Sequence, residues 1–546
     1  MKKLHLFLIA CLTGIFLALA WPTFGFAPVL FFAFVPLLWV ENYIAEHKDK
    51  YPKFIVFNYA FVSFFIFNII TTYWISYATL FGLFAPFFNA FLGAFIFQVY
   101  HYIKRVLFDN KKGFIFLPML WISVEFLHHH WELTWPWMTL GNGFSTMPSL
   151  VQWYEYTGVF GGSLWIWISN YFVYKVVKQI RINDTKGILN IKSNKLLTTN
   201  IFSLGLVVLL PIILSLIIWN SYKDEPNKPL DIVVVQPNLE PYDEMLQLYN
   251  DEIVDLIMNL AQQKTDNNTS FILVPEGSLE ERIWEDKTNE NYNLRRLSQF
   301  VGQYDKVQLI TGSFTRKLQS EEEKDEASRE IINAPKPYYS VYNSAIHIKK
   351  ENRFEVYHKS KLVPGVERLP FKKYIGKILD LAIKLGNLPV GTLATDNNHQ
   401  LFVSDSSKVK ITTPICYESV YGEFIAIRVR EGAGLIFIIT NDSWWKDTQG
   451  YKQHASYASL RAIETRRYIA RSANTGTSCF INPRGEVSQK TKFWTKDVIK
   501  ASLVPQSRIT FYVKYGDYIA RICLFSSIVI LIIGIVYKIK LRNDKK

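Results

Sequence analysis

Three reactive side chains stand just past runs that read as buried strands, the place where layered α/β folds put function. The first is in Phe271-Ile-Leu-Val-Pro-Glu276-Gly-Ser278. Burial raises the pKa of a carboxylate so placed, which suits a general base. The second is in Val356-Tyr-His-Lys359-Ser-Lys-Leu-Val-Pro364-Gly-Val-Glu367-Arg-Leu-Pro370. A lysine held inside a site stabilises an oxyanion as it develops. The third is in Ile411-Thr-Thr-Pro-Ile-Cys416-Tyr-Glu418. A cysteine at a sharp strand-to-helix turn is open to attack on a substrate, and a nearby base makes it a thiolate. Taken singly, each has a plainer reading that is the better one: a strand-ending turn, a surface lysine, a buried free cysteine. A base, a cation and a nucleophile, each behind its own strand, change that weighing.

The elements that must position them alternate. Strands are expected at 231–236, 271–274, 307–311, 341–348, 353–358, 408–415, 435–440, 468–473 and 478–481. Helical patterns fit 242–263, 419–430 and 450–467. Residues 317–338 are charged and irregular and read as a solvated loop. The alternation predicts an α/β layered domain.

Glu276, Lys359 and Cys416, in that order after three strands, resemble the nitrilase, or carbon–nitrogen hydrolase, superfamily. Val235-Gln236-Pro-Asn238, Thr440-Asn441-Asp442-Ser-Trp444, Gln453-His454, Arg461-Ala-Ile-Glu464, Arg471-Ser-Ala-Asn474-Thr-Gly476 and Pro483-Arg-Gly485 extend the likeness over most of 231–486. Membrane spans flanking such a domain, with Trp135-Pro136-Trp137, Gly141, Gly158 and Gly161 before it, resemble the apolipoprotein N-acyltransferase branch. The resemblance implies an αββα sandwich and a ping-pong reaction. Cys416 would take an acyl chain from a membrane phospholipid, with phosphatidylethanolamine as donor. The thioester would pass it to the α-amino group of an S-diacylglyceryl cysteine on an apolipoprotein. Glu276 would be the base and Lys359 the oxyanion partner. Glu367, Tyr417, Glu418, Asn343 and Trp444 match supporting positions. Two departures stand out: Val363-Pro-Gly-Val-Glu367-Arg-Leu-Pro370, and Trp445-Lys446 after Trp444.

Composition agrees with a chain partly in lipid. Hydrophobic residues make up 49% and aromatic residues 16% of 546 residues. Apolar runs at about 4–21, 27–41, 54–76, 79–101, 113–128, 160–177, 201–219 and 518–537 suit about eight membrane helices. With the N-terminus cytoplasmic, the inside segments hold 20 basic and 6 acidic residues, while the short outside loops hold no basic residue. That accounts for the whole net charge of +14. The charge therefore reports membrane orientation, and a basic nucleic-acid face on the soluble part is excluded. Residues 1–220 form a seven-helix membrane domain. Residues 221–516 form the catalytic domain outside the cytoplasm. Residues 517–546 form the last span and a basic cytoplasmic tail. The protein is expected in the bacterial inner membrane as a monomer. Residues 371–386 pattern as an amphipathic lid helix or, nearly as well, an ordinary packed one.

The four cysteines show no paired spacing, and His128-His129-His130 cannot converge on one ion from a helix. No metal and no cofactor is assigned. Met1–Ala20 reads as a first span rather than a cleaved leader. Two rival functions remain: a membrane-tethered amidase acting on a small amide, and a transporter or sensor with an inactive outer domain. The eight-span scaffold weighs against the first, and the intact triad against the second.

Overall fold

In strand β1 (Leu230–Gln236) successive side chains face opposite ways, as a period of two requires. Val233 and Val235 pack with Ile253 and Ile257 of the helix Asn250–Gln262 and with Leu297 of the helix Tyr292–Gly302. Ile232 and Val234 instead meet Leu435, Phe437 and Ile439 of β10 (Ala433–Thr440). The other face of β10, with Ile436 and Ile438, packs on Ile425 and Val429 of the helix Gly422–Arg430 and on Ala458 and Ala462 of the helix Gln449–Thr465. The layers are therefore helix, sheet, sheet, helix: the αββα sandwich. The computed structural model describes all residues except 1, 23, 79, 109–112, 186–194, 241–249, 332–334, 336, 372–391, 397 and 545–546. The lid segment expected at 371–386 lies outside the described residues from 372 onward.

The remaining strands are β2 (Thr269–Leu273), β3 (Leu279–Trp284), β4 (Gln308–Gln319), β5 (Arg329–Glu330), β6 (Tyr338–Lys349), β7 (Arg353–His358), β8 (Phe402–Val403), β9 (Lys410–Thr412), β11 (Tyr468–Ala473), β12 (Cys479–Ile481), β13 (Val487–Ser488) and β14 (Asp497–Leu503). One sheet runs β14-β1-β2-β4-β6-β5, with β3 on β4 and β7 on β6. The other runs β13-β12-β11-β10-β9-β8.

Part of the expected loop at 317–338 is strand. β4 continues to Gln319 because it zips against β6 over eleven residue pairs, Leu309 to Gln319. Long-range pairing overrides the local charge there. β3, β14 and the helix Tyr292–Gly302 are absent from the sequence reading. β3 (LEERIW) is too charged to show a strand period.

Each expected membrane span falls on a helix. Lys3–Ala20, Ala27–Glu46, Ile55–Thr72, Lys195–Ser221 and Tyr518–Lys540 are long and apolar enough to cross a bilayer. The other three spans fall on Ala85–Leu107, Phe116–Leu127 and Tyr154–Thr185. The second span is broken between a 3₁₀ turn, Ala27–Phe31, and the helix Val35–Glu46. A break in lipid needs its backbone groups satisfied. Asn170 does this, accepting from Phe34 N at 2.8 Å and donating to Leu30 O at 2.7 Å.

The sandwich is clamped to the bundle. Buried Arg466 donates to Glu155 (2.8 Å), to Gln152 Oε1 (2.7 Å) and to the Gln152 carbonyl (3.0 Å). Leu460 and Ile463 of the helix Gln449–Thr465 belong to the bundle's own apolar cluster. Of the glycine motif, Gly158 serves this contact, while Gly141 packs within the N-terminal part. Gly158 has φ +60°, and a Cβ there would lie 2.3 Å from Tyr512. A Cβ on Gly141 would lie 1.9 Å from the Val159 carbonyl.

Candidate active site

β2 ends at Leu273, and Pro275 turns the chain so that Glu276 faces inward. β4 passes close beneath: a Cβ on Gly312 would lie 2.5 Å from Glu276 Cα, so only glycine fits. Glu276 Oε1 accepts from Asn343 Nδ2 (2.7 Å) and Lys359 Nζ (3.1 Å). Its Oε2 accepts from the backbone N–H of Asn441 (3.0 Å). Lys359 follows the last residue of β7, and its N–H donates to the Asn343 carbonyl at 2.8 Å. Its ammonium also donates to Glu367 Oε1 at 2.8 Å. Asn343 Nδ2 reaches the same Glu367 oxygen at 3.0 Å. The departure around Pro364 forms a tight turn: Gly365 takes φ +78°, and Val363 N–H donates to Glu367 Oε2 at 2.8 Å. That turn aims Glu367 at Lys359.

Cys416 opens a 3₁₀ turn, Cys416–Val420, after Ile415 bridges to Ile439 of β10. It takes φ +50°, a strained conformation for a residue with a side chain. Glu418 ties this turn to the lysine loop. Its carboxylate accepts from Ile415 N (2.8 Å), Ser360 N (2.6 Å) and Tyr357 Oη (2.8 Å). Tyr417 donates to the Thr134 carbonyl of the membrane-side loop at 2.7 Å.

Burial opposes charge on Lys359, which is only 1% exposed. The facing carboxylates of Glu276 and Glu367 outweigh it and hold the amine's pKa well above the usual lysine value. Burial, and then the Glu276 carboxylate, push the Cys416 thiol up, against the pull of Lys359. The resting site thus pairs an ammonium with a neutral thiol. The thiol must release its proton as it attacks.

Cys416 also borders a cavity of about 380 Å³. Phe84 and Phe88, at the start of the helix Ala85–Leu107, line it, with Trp74, Trp135 and Trp137. Val363, Leu369 and Trp445 close the other side. Trp74 and Trp445 meet edge to face at 4.9 Å, and Trp137 donates to Gln453 at 2.7 Å. The tryptophan loop thus joins membrane and domain at the nucleophile.

The structure brings Glu276, Lys359, Cys416, Glu367, Asn343, Tyr417 and Glu418 together. Trp444 is not among the residues lining the cavity. It is 40% exposed, while Trp445, its neighbour in the turn Asp442–Trp445, lines the wall. Adjacent residues in a turn point to different sides, and the motif does not tell which one faces in. The Asn441 N–H on Glu276 was also missed, since a backbone donor has no side-chain signature.

Glu418→Ala leaves Ile415 N, Ser360 N and Tyr357 Oη without their buried acceptor. The lysine and cysteine loops should shift apart. Turnover is expected to fall about 100-fold, the cost of an ångström-scale misplacement. Turnover rates with Glu418→Ala and with Glu418→Gln, which keeps one acceptor oxygen, check this.

Residues 13–172 match the apolipoprotein N-acyltransferase N-terminal domain, and residues 232–511 match the carbon-nitrogen hydrolase family. The chain is 25% identical to an apolipoprotein N-acyltransferase of Chlorobaculum tepidum over 97% of both chains. It is 24% identical to one of Geobacter metallireducens, over 96% of this chain and 94% of that one. Among solved structures, Saccharomyces cerevisiae Nit3, of branch 10 of the nitrilase superfamily, is similar at 16% identity and TM-score 0.35. The match covers 51% of this chain and 91% of Nit3. The apolar helices and this kinship make the chain a multi-pass bacterial membrane protein. It belongs to the carbon–nitrogen hydrolase family, in the membrane-bound apolipoprotein N-acyltransferase branch.

Proposed function

We propose that this chain completes lipoprotein maturation by N-acylation, through a thioester on Cys416. One observation carries the mechanism: Cys416 is beside the Glu276–Lys359 pair and on an apolar cavity walled in part by the start of the helix Ala85–Leu107. Glu276 takes the thiol proton as sulfur attacks an ester carbonyl of a phospholipid, phosphatidylethanolamine being the donor. Lys359 faces the oxyanion. As the tetrahedral intermediate collapses, the C–O bond breaks and the proton passes from Glu276 to the lysophospholipid alkoxide. The α-amino group of an S-diacylglyceryl cysteine then attacks the thioester. The C–S bond breaks, and the amine proton returns to the thiolate through Glu276. An apolar, water-poor cavity favours aminolysis over hydrolysis. That weighs against the small-amide hydrolase.

The charge asymmetry supports a catalytic domain on the periplasmic face of the inner membrane, with both termini cytoplasmic. The enzyme acts as a monomer, since all the groups of the reading come from one chain. The test is mass spectrometry of the purified protein with phosphatidylethanolamine alone. An acyl-sized gain on the Cys416 peptide, discharged by a diacylglyceryl peptide amine, is expected. No adduct, or one discharged by water alone, sinks the reading.

A further inference from the structure

A buried polar chain outside the triad ends on the nucleophile's own backbone. His454, on the helix Gln449–Thr465, is wholly buried. Its Nε2 lies 3.1 Å from the Cys416 carbonyl and 3.0 Å from Ser419 Oγ. Ser419 Oγ itself donates to the Cys416 carbonyl at 2.7 Å. On the far side, Nδ1 lies 3.0 Å from Arg471 Nη2 and 3.2 Å from Asp442 Oδ1. Arg471 and Asp442 form a buried two-pronged pair at 2.9 and 3.0 Å.

The neighbours assign the imidazole proton. A guanidinium only donates and the Cys416 carbonyl only accepts, so both put the proton on Nε2, with Nδ1 accepting from Arg471. The Asp442 carboxylate at 3.2 Å from Nδ1 favours the other tautomer, but it is the longest of the three contacts and is already paired with Arg471. The opposite tautomer would set donor against donor at Arg471 and acceptor against acceptor at the Cys416 carbonyl. Burial lowers the histidine pKa, so the ring is neutral. The Cys416 carbonyl therefore accepts two hydrogen bonds, from Ser419 and from His454.

This matters because Cys416 is held at φ +50°. Such a conformation persists only where its surroundings over-determine it. In a trans peptide the C=O and the next N–H point opposite ways. With the Cys416 carbonyl turned toward the helix Gln449–Thr465, the Tyr417 N–H is turned away from it. Tyr417 is second in its turn, so that N–H has no acceptor within the turn.

We propose that His454 is a positioning residue for acyl transfer: it pins the Cys416–Tyr417 peptide so that the Tyr417 N–H meets the oxyanion formed at the thioester carbon. Arg471 acts one step further out, by holding Nδ1 as an acceptor, and Asp442 holds Arg471 in place. The inference rests on the thioester reading above.

The test uses the full chain in detergent and compares two reactions of one thiol. The first is single-turnover acylation of Cys416 by phosphatidylethanolamine, which passes through an oxyanion. The second is alkylation by iodoacetamide across a range of pH, a displacement at carbon that forms none. His454→Met fills the space without a donor, and His454→Gln keeps a donor at similar reach. Acylation should slow on the order of 100-fold in His454→Met, with the alkylation profile unchanged. His454→Gln should recover most of the rate. Ser419→Ala, which removes the other donor to the same carbonyl, should show the same split with a smaller loss. Parallel loss of both reactions in His454→Met and Ser419→Ala overturns the proposal, as does unchanged acylation in both. Absence of any adduct on the natural chain sinks the thioester reading instead.

Discussion

Lys359→Met is expected to slow acyl transfer on the order of 10³-fold and to cost about 3–5 kcal/mol of stability. The activity loss follows from removing a preorganised cation beside a developing oxyanion. The stability loss has a separate cause. Lys359 bridges Glu276 and Glu367 at 3.1 and 2.8 Å, and all three side chains are largely buried. Removing one partner of a buried ion cluster leaves the others uncompensated. Thermal unfolding in detergent reads the second effect, and transfer to a diacylglyceryl peptide reads the first.

The pH dependence separates the natural chain from the variant. The folded pKa of Lys359 is raised. A raised pKa gives stability that is fully present below the unfolded lysine value of about 10.4 and is lost only above it. This group should therefore leave the natural chain's stability flat between about pH 5 and pH 9. In Lys359→Met this contribution is absent at every pH, so the deficit should be steady between about pH 5 and pH 9 and shrink only above about pH 10.4. A deficit that already shrinks below about pH 9 would mean that the lysine is not held charged by its two partners.

Cys416→Ala should abolish the acyl adduct and lower transfer by on the order of 10⁴–10⁶-fold, the scale seen when a covalent nucleophile is removed. Its stability should stay close to that of the natural chain, because Ala at φ +50° carries the same backbone strain as Cys. Cys416→Gly should be as inactive and more stable than Cys416→Ala by about 1 kcal/mol, since glycine adopts this conformation freely. Together the pair would show that the fold holds the nucleophile against a local cost. Equal stabilities for the two variants would mean that the turn relaxes once the thiol is gone. The thiol adds its own pH dependence. Its pKa is raised by burial, so its contribution is present below the unfolded thiol value of about 8.5 and fades as pH climbs toward the folded value.

Much of this protein was legible in its sequence, for physical reasons. Spans long enough to cross lipid must be apolar over about 20 residues, so composition alone marks them. Strands buried on both faces, such as β1 and β10, read as unbroken apolar runs. Glu276, Lys359 and Cys416 each sit in or just past such a strand signal, in contexts that narrow their chemistry. Tertiary structure decided what has no local signature. The pairing of β4 with β6 turned charged residues into strand, because cross-strand contacts override local preference. Which of Trp444 and Trp445 enters the wall depends on the path of one turn. The backbone N–H of Asn441, the two donors to the Cys416 carbonyl and the tautomer of His454 depend on groups distant along the chain. Periodicity and spacing report which face a side chain takes along its own element. They carry no information on which distant element packs there, and that packing sets the hydrogen bonds around the nucleophile.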